Sequence, residues 1–162
     1  EKKRRSEISK KNWEEMPLSK LEQMQQSATV SLREAAITGS KLEKFIFSGI
    51  KKTGHKIDFH KEFYILDKKQ HLDMYLPDLN IAIEIDGPTH FKNIWGKENL
   101  DRQIKGDSKK TGFVISSGMK MIRIKNINGN SSNFYMRNML QKTLDLLELI
   151  ASGTQEVIFE IE

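Results

Sequence analysis

Four residues in the stretch HLDMYLPDLNIAIEIDGPTH (71–90) have types and spacing that suit chemistry: Asp73, Glu84, Asp86 and His90. Side chains on a β-strand point alternately to opposite faces. With strands over 71–76 and 80–86, Ile81, Ile83 and Ile85 share one face and Ala82, Glu84 and Asp86 the other. By the same rule Leu72, Met74 and Leu76 lie together, and His71, Asp73 and Tyr75 lie opposite them. If the two strands are neighbours, Asp73, Glu84 and Asp86 converge. Carboxylates inside apolar strands are costly to bury unless paired or metal-bound. Their hard oxygens suit Mg²⁺ or Mn²⁺. The competing reading makes Glu84 and Asp86 the exposed face of a half-buried strand. His90 follows Asp86 past Gly87-Pro88, a turn that either folds it back toward the carboxylates or simply carries it.

Basic residues follow this stretch closely: Lys92, Lys97, Arg102, Lys105, Lys109 and Lys110. They could line a phosphate path, where each contributes without reading sequence, or form a solvated helix face. The charge distribution favours a polyanion. Residues 39–128 hold 17 basic and 11 acidic side chains, while 129–162 hold 2 and 5. The whole chain of 162 residues carries +5, and a basic patch attracts nucleic acid. The N-terminal EKKRRSEISKK, with Lys2, Lys3, Arg4 and Arg5, is either a frayed solvated end or a phosphate-contacting arm. Trp95 either stacks against a base or covers an edge of the core. His55, His60 and His71 lack a tight metal-ligand spacing and are expected to be structural or at the surface.

Composition removes other classes. There is no Cys, hence no disulfide framework, thiolate nucleophile or cysteine zinc site. No apolar run approaches the ~18 residues of a membrane span, and no phosphate-binding glycine loop is present. The chain begins at Glu1 rather than Met, so residues upstream are expected, and target choice could lie partly there.

The elements that must position these residues follow from punctuation and period. Ile8, Trp13 and Met16 fit a weak helix that Pro17 interrupts. Ser19, with Glu22 three residues on, is a capping pattern for a second helix. Gly39-Ser40 is a break, and Ser40 with Glu43 caps a helix over 41–53 with Leu42, Phe45, Ile46 and Ile50 on one face. Strands are expected at 58–66, 71–76, 80–86 and 119–125, and a further one at 155–161. A polar helix, or two helical pieces, spans 98–118, and a longer helix spans 132–151. The expected fold is α/β: a mixed central sheet of about four strands with helices on both sides. A basic helical arm (1–38) precedes the main domain (39–162).

The order of a KLEKFI helix, LDMYLP, IAIEIDGPTHF, a basic helix containing an Asp, and KMIRIK resembles the very-short-patch-repair-like branch of the PD-(D/E)XK nucleases. It looks closest to the phage-associated homing endonucleases with an EDxHD motif. The resemblance covers roughly 41–126. It implies a restriction-endonuclease-like core and a metal-dependent endonuclease acting on double-stranded DNA. By position, Glu43 matches the helix Glu, Asp73 the metal-binding Asp, His90 the His, and Asp107 the final Asp, with Asp101 as its rival. The usual E-x-K ending is absent, since Glu84-Ile85-Asp86 stands in its place.

The resemblance implies that Asp73 binds Mg²⁺ or Mn²⁺, together with Asp86 or a strand carbonyl. His90, with an ordinary pKa of about 6.5, would activate water or protonate the leaving oxygen. Glu43 and Asp107 would orient His90 or metal-bound waters. A phage enzyme would work in the cytoplasm of its bacterial host, without a membrane. QEVIFEI at the C-terminus either pairs within the sheet or joins a second copy in a homodimer. The rival readings are a mismatch-repair, restriction or transposon-end nuclease of the same fold, and a non-catalytic nucleic-acid-binding module.

Overall fold

The structure is a computed structural model and describes residues 15–65 and 68–162. The basic cluster at Lys2, Lys3, Arg4 and Arg5, and the weak helix through Ile8 and Trp13, lie outside the described residues. The chain divides between Thr38 and Gly39 into two units.

Among the described residues, the first unit holds one helix, α1 (Leu18–Thr38). Its opening amides are taken by the Pro17 carbonyl, which accepts from Lys20 and Leu21. Ser19 therefore sits inside the first turn and not at the expected cap. Leu18, Met24 and Val30 are exposed.

The second unit is α/β, with a five-stranded mixed sheet flanked by helices, one strand more than the four expected. Its elements are α2 (Lys41–Lys51), β1 (Asp58–Ile65), β2 (Lys68–Leu76), β3 (Ile81–Asp86), α3 (Lys97–Ser116), β4 (Lys120–Lys125), α4 (Asn133–Ala151) and β5 (Ile158–Ile161). Strands β1 to β5 lie in sequence order. β1, β2 and β3 form an antiparallel meander. β3, β4 and β5 run parallel, with α3 and α4 as the crossovers. QEVIFEI thus enters the sheet beside β4 through Ile158–Ile161.

Ser40 starts α2 with a complete capping box. Its side chain accepts from the Glu43 amide, and Glu43 Oε1 accepts from the Ser40 amide at 3.0 Å. Leu42, Ile46 and Ile50, spaced four apart, are buried against the sheet with Met74, Ile83, Ile122 and the α4 residues Met136, Met139 and Leu147. Each fully buried Leu or Ile of this kind is worth about 1.5–3 kcal/mol. Gly49 lies so close to Leu140 of α4 that a Cβ there would collide with its side chain.

The other sheet face carries a smaller apolar cluster: Leu72, Ala82 and Met121 under Val114 of α3. α3 is one helix and not two pieces, because Gly106 and Gly112 are accommodated within it. Gly118, at φ +73°, follows its last turn, the left-handed place where glycine is favoured.

One expectation about alternation fails. Met74 and Leu76 belong to the main core, but Leu72 packs on the opposite face. β1 behaves alike: Phe59 joins the main core and Phe63 the smaller cluster. Both strands change face at one level, where the pairing passes from Phe59↔Met74 to Lys61↔Leu72 without His60 or Asp73, and where His60 has φ +50°. A left-handed residue inside a strand breaks the pleat.

Candidate functional site

The polar end of the second sheet face is built around this break. The paired register of β2 and β3 runs from Leu76↔Ile81 to Met74↔Ile83 and stops there. Beyond it, side chains replace ladder bonds. The Ile85 amide donates to Asp73 Oδ2 at 2.7 Å, and the Asp73 amide donates to Glu84 Oε1 at 3.3 Å. Sequence position alone brings Asp73 and Glu84 level. The broken ladder lets each carboxylate cross to the neighbouring strand.

α3 lays Asp107, Lys110, Thr111 and Val114 over this face, since residues three and four apart line one side of a helix. Lys110 Nζ donates to Glu84 Oε2 at 2.6 Å, and its side chain is 18% exposed. It was expected on a phosphate path, but it points inward at a buried carboxylate. Lys92, Lys97, Arg102, Lys105 and Lys109 are exposed. Asp101 is exposed on α3, whereas Asp107 reaches His90.

Arg123 of β4, paired with Glu84 in the register, organises the rest. Its Nε donates to Asp86 Oδ2 at 2.8 Å and a terminal nitrogen to Asp86 Oδ1 at 2.8 Å. A third donation goes to Thr111. The 3₁₀ turn Pro88–His90 folds His90 back, so its Nδ1 lies 2.8 Å from Asp107 Oδ2 and 3.5 Å from Asp86 Oδ1. With Nδ1–H donated to Asp107, Nε2 keeps its lone pair, which suits a base or a metal ligand. A cleft of about 550 Å³ opens beside these groups, walled by Phe91, Ile104 and Ile115.

Among the described residues, one group of three could hold a metal ion: Asp86, His90 and Asp107, whose ligand atoms all lie within 4.8 Å of one another. The expected pair was Asp73 with Asp86. Asp73 lies outside this group, because its carboxylate is drawn to the β3 backbone while Asp86 is drawn to Arg123 and His90.

Electrostatics mark the Asp73 side as short of positive charge. Burial, then the Glu43 carboxylate, push Asp73 up from 3.8 to about 6. Burial, then Asp73, push Glu84 up from 4.5 to about 8, against the pull of Lys110. Removing a carboxylate from water and placing another beside it both favour the protonated form. On the other side, the Asp86 carboxylate and then Asp107 raise Arg123 further, despite its burial.

Glu43 reaches the site from α2. Its Oε2 lies 3.1 Å from His60 Nε2, while its Oε1 keeps the capping box. The structure thus brings Asp73 and Glu84 together, brings Asp86, His90 and Asp107 together, and sets Glu43 beside the first pair. Sequence reasoning missed two participants. Arg123 had a signal, a charged residue between Ile122 and Ile124 in an alternating strand. His60 had none, because its place depends on a backbone angle that no local pattern announces. No family model and no curated protein matches the chain.

Proposed function

We propose that the second unit is a metal-dependent DNA endonuclease with a restriction-endonuclease-like core, related to homing endonucleases and acting in a bacterial cytoplasm. The observation that carries this reading is the meeting of the half-buried Asp73 and the buried Glu84 with the Asp86–His90–Asp107 group. Carboxylates held above their ordinary range are where a divalent cation would be most welcome.

Asp86 and Asp107 would offer carboxylate oxygens to a hard cation, with Asp73 and Glu84 beside them, which leaves His90 Nε2 for proton transfer. A bound Mg²⁺ or Mn²⁺ would polarise the phosphate and acidify a water. His90, held by Asp107, takes the proton from the attacking water or gives one to the leaving oxygen. The exposed Lys92, Lys97, Arg102, Lys105 and Lys109 hold the duplex by its phosphates. Incubation of supercoiled plasmid with Mg²⁺, with Mn²⁺ and with EDTA tests the reading. Nicked or linear product with either metal and none with EDTA is expected, and intact plasmid throughout would contradict it. Mapping cuts on mismatched, nicked and intact duplexes then separates homing from repair, restriction or transposon-end cleavage.

A second reading has its own observation. Arg123 takes both oxygens of Asp86, and Lys110 takes Glu84. Protein cations thus already meet two of the carboxylates, as they would in a binding module that keeps the fold without turnover. That module would show salt-sensitive DNA binding and no metal-dependent product.

A further inference from the structure

We infer that His60 is a positioning residue of this site, fixing the Glu43 carboxylate against Asp73. The inference rests on the nuclease reading for what the positioning serves, and on the structure alone for the contact.

The backbone comes first. Among the described residues only His60 and Asn80 are non-glycine with positive φ, at +50° and +52°. Asn80 lies in the turn between β2 and β3, and Asn suits left-handed backbone there. His60 lies inside an eight-residue strand, where nothing about a turn calls for it. Such a conformation is costly for a residue with a Cβ and persists only where its surroundings over-determine it.

What the conformation achieves is local and specific. It turns His60 out of the pleat, and its ring stacks on Phe59 at 4.2 Å between centroids, 13° from parallel. That placement brings Nε2 to Glu43 Oε2 at 3.1 Å, on a different element. The capping box alone needs only Oε1 of Glu43. The bond to His60 fixes the second oxygen and so the direction of the carboxylate. Both residues are half-buried, with side chains 24% and 14% exposed. Asp73 lies at the same level of β2, between the partners of Phe59 and Lys61, and feels both, Glu43 raising its proton affinity and His60 lowering it. The site is therefore flanked by two histidine–carboxylate pairs. His90–Asp107 serves Asp86, and His60–Glu43 serves Asp73.

The test uses the full chain as wild type, E43Q, H60N, H60G and the E43Q/H60N double variant. Asn and Gly both accept the left-handed backbone, so these changes remove the imidazole and keep the strand, which thermal unfolding checks. In metal-dependent plasmid cleavage, H60N and H60G lower kcat about 10- to 100-fold with KM little changed. The double variant is no worse than E43Q alone, as residues acting as one unit require. Wild-type turnover in H60N and H60G, or losses that multiply in the double variant, would overturn the assignment. An independent readout is ¹⁵N NMR of the imidazole. The Nε2–H form is expected at His60 in wild type, with its ¹⁵N signal shifted in E43Q, whose amide oxygen is a weaker acceptor than a carboxylate, and a His60 signal unaffected by E43Q would overturn the contact. If wild type cuts no DNA, the nuclease reading fails, and the NMR result alone decides whether His60 holds Glu43.

Discussion

Asp73 and Glu84 are carboxylates that hold the strands together while remaining protonatable in the neutral range. Each accepts a backbone amide that a regular ladder would have paired, so neither is idle in the folded chain. Yet burial and mutual repulsion hold both above their ordinary range, at about 6 and about 8. Both values exceed those of the unfolded chain, so the folded state keeps protons that the unfolded chain has released. The stability that this protonation supports is complete below about pH 4 and is lost as pH rises toward about 8. In EDTA, the melting temperature of wild type should therefore fall between about pH 5 and pH 8 more steeply than that of Glu84→Gln, which carries no ionising group there. Parallel curves for the two proteins would show that Glu84 does not carry this strain. Added Mn²⁺ should recover most stability at the high end, where the carboxylates are ionised.

At the scale of elements, the site depends on a polar helix face and an apolar helix packing the same sheet from opposite sides. α3 brings little apolar surface, with Val114 its one buried residue. Beside Val114 and the stacking of Phe113 on Phe63, it docks through Asp107, Lys110 and Thr111, bonded to His90, Glu84 and Arg123. α2 docks through Leu42, Ile46 and Ile50, and its close passage over α4 at Gly49 sets where Glu43 sits. Replacing Gly49 by Val should cost about 1–3 kcal/mol through overpacking against Leu140, read from the urea midpoint. An unchanged midpoint would mean that the two helices separate without penalty. Much of this level was legible in the sequence. The 3.6 and 2 periods placed α2, β3, β4 and α4 within a few residues, and Ser40-x-x-Glu43 announced its own cap. The face change of β1 and β2 was not legible. It arises from φ at His60 and from side chains capturing amides across β2 and β3, and neither leaves a mark in hydrophobic periodicity. The grouping of Asp86 with His90 and Asp107, apart from Asp73, follows from that same break and from Arg123.

At the scale of the whole chain, charge is divided by role. The second unit sets carboxylates into one sheet face and surrounds the following helix with exposed lysine and arginine. No helix among the described residues is long and apolar enough to cross a membrane. The first unit contributes α1 and the basic residues that precede it. Deleting residues 1–38 should weaken duplex binding and flatten its salt dependence, because fewer phosphates are neutralised, while turnover of saturating plasmid changes little. Fluorescence anisotropy across a salt series checks this, and an unchanged slope would remove the arm from DNA binding.

In the proposed function, Asp73 and His90 carry phosphodiester hydrolysis on this sheet face. The most direct measurement is the initial rate of supercoiled plasmid cleavage in Mg²⁺ or Mn²⁺ by wild type, Asp73→Ala and His90→Ala, with folding checked by circular dichroism. Metal-dependent product is expected from wild type, with a loss of about 100-fold or more in each variant. Cleavage by either variant at the wild-type rate would contradict this function.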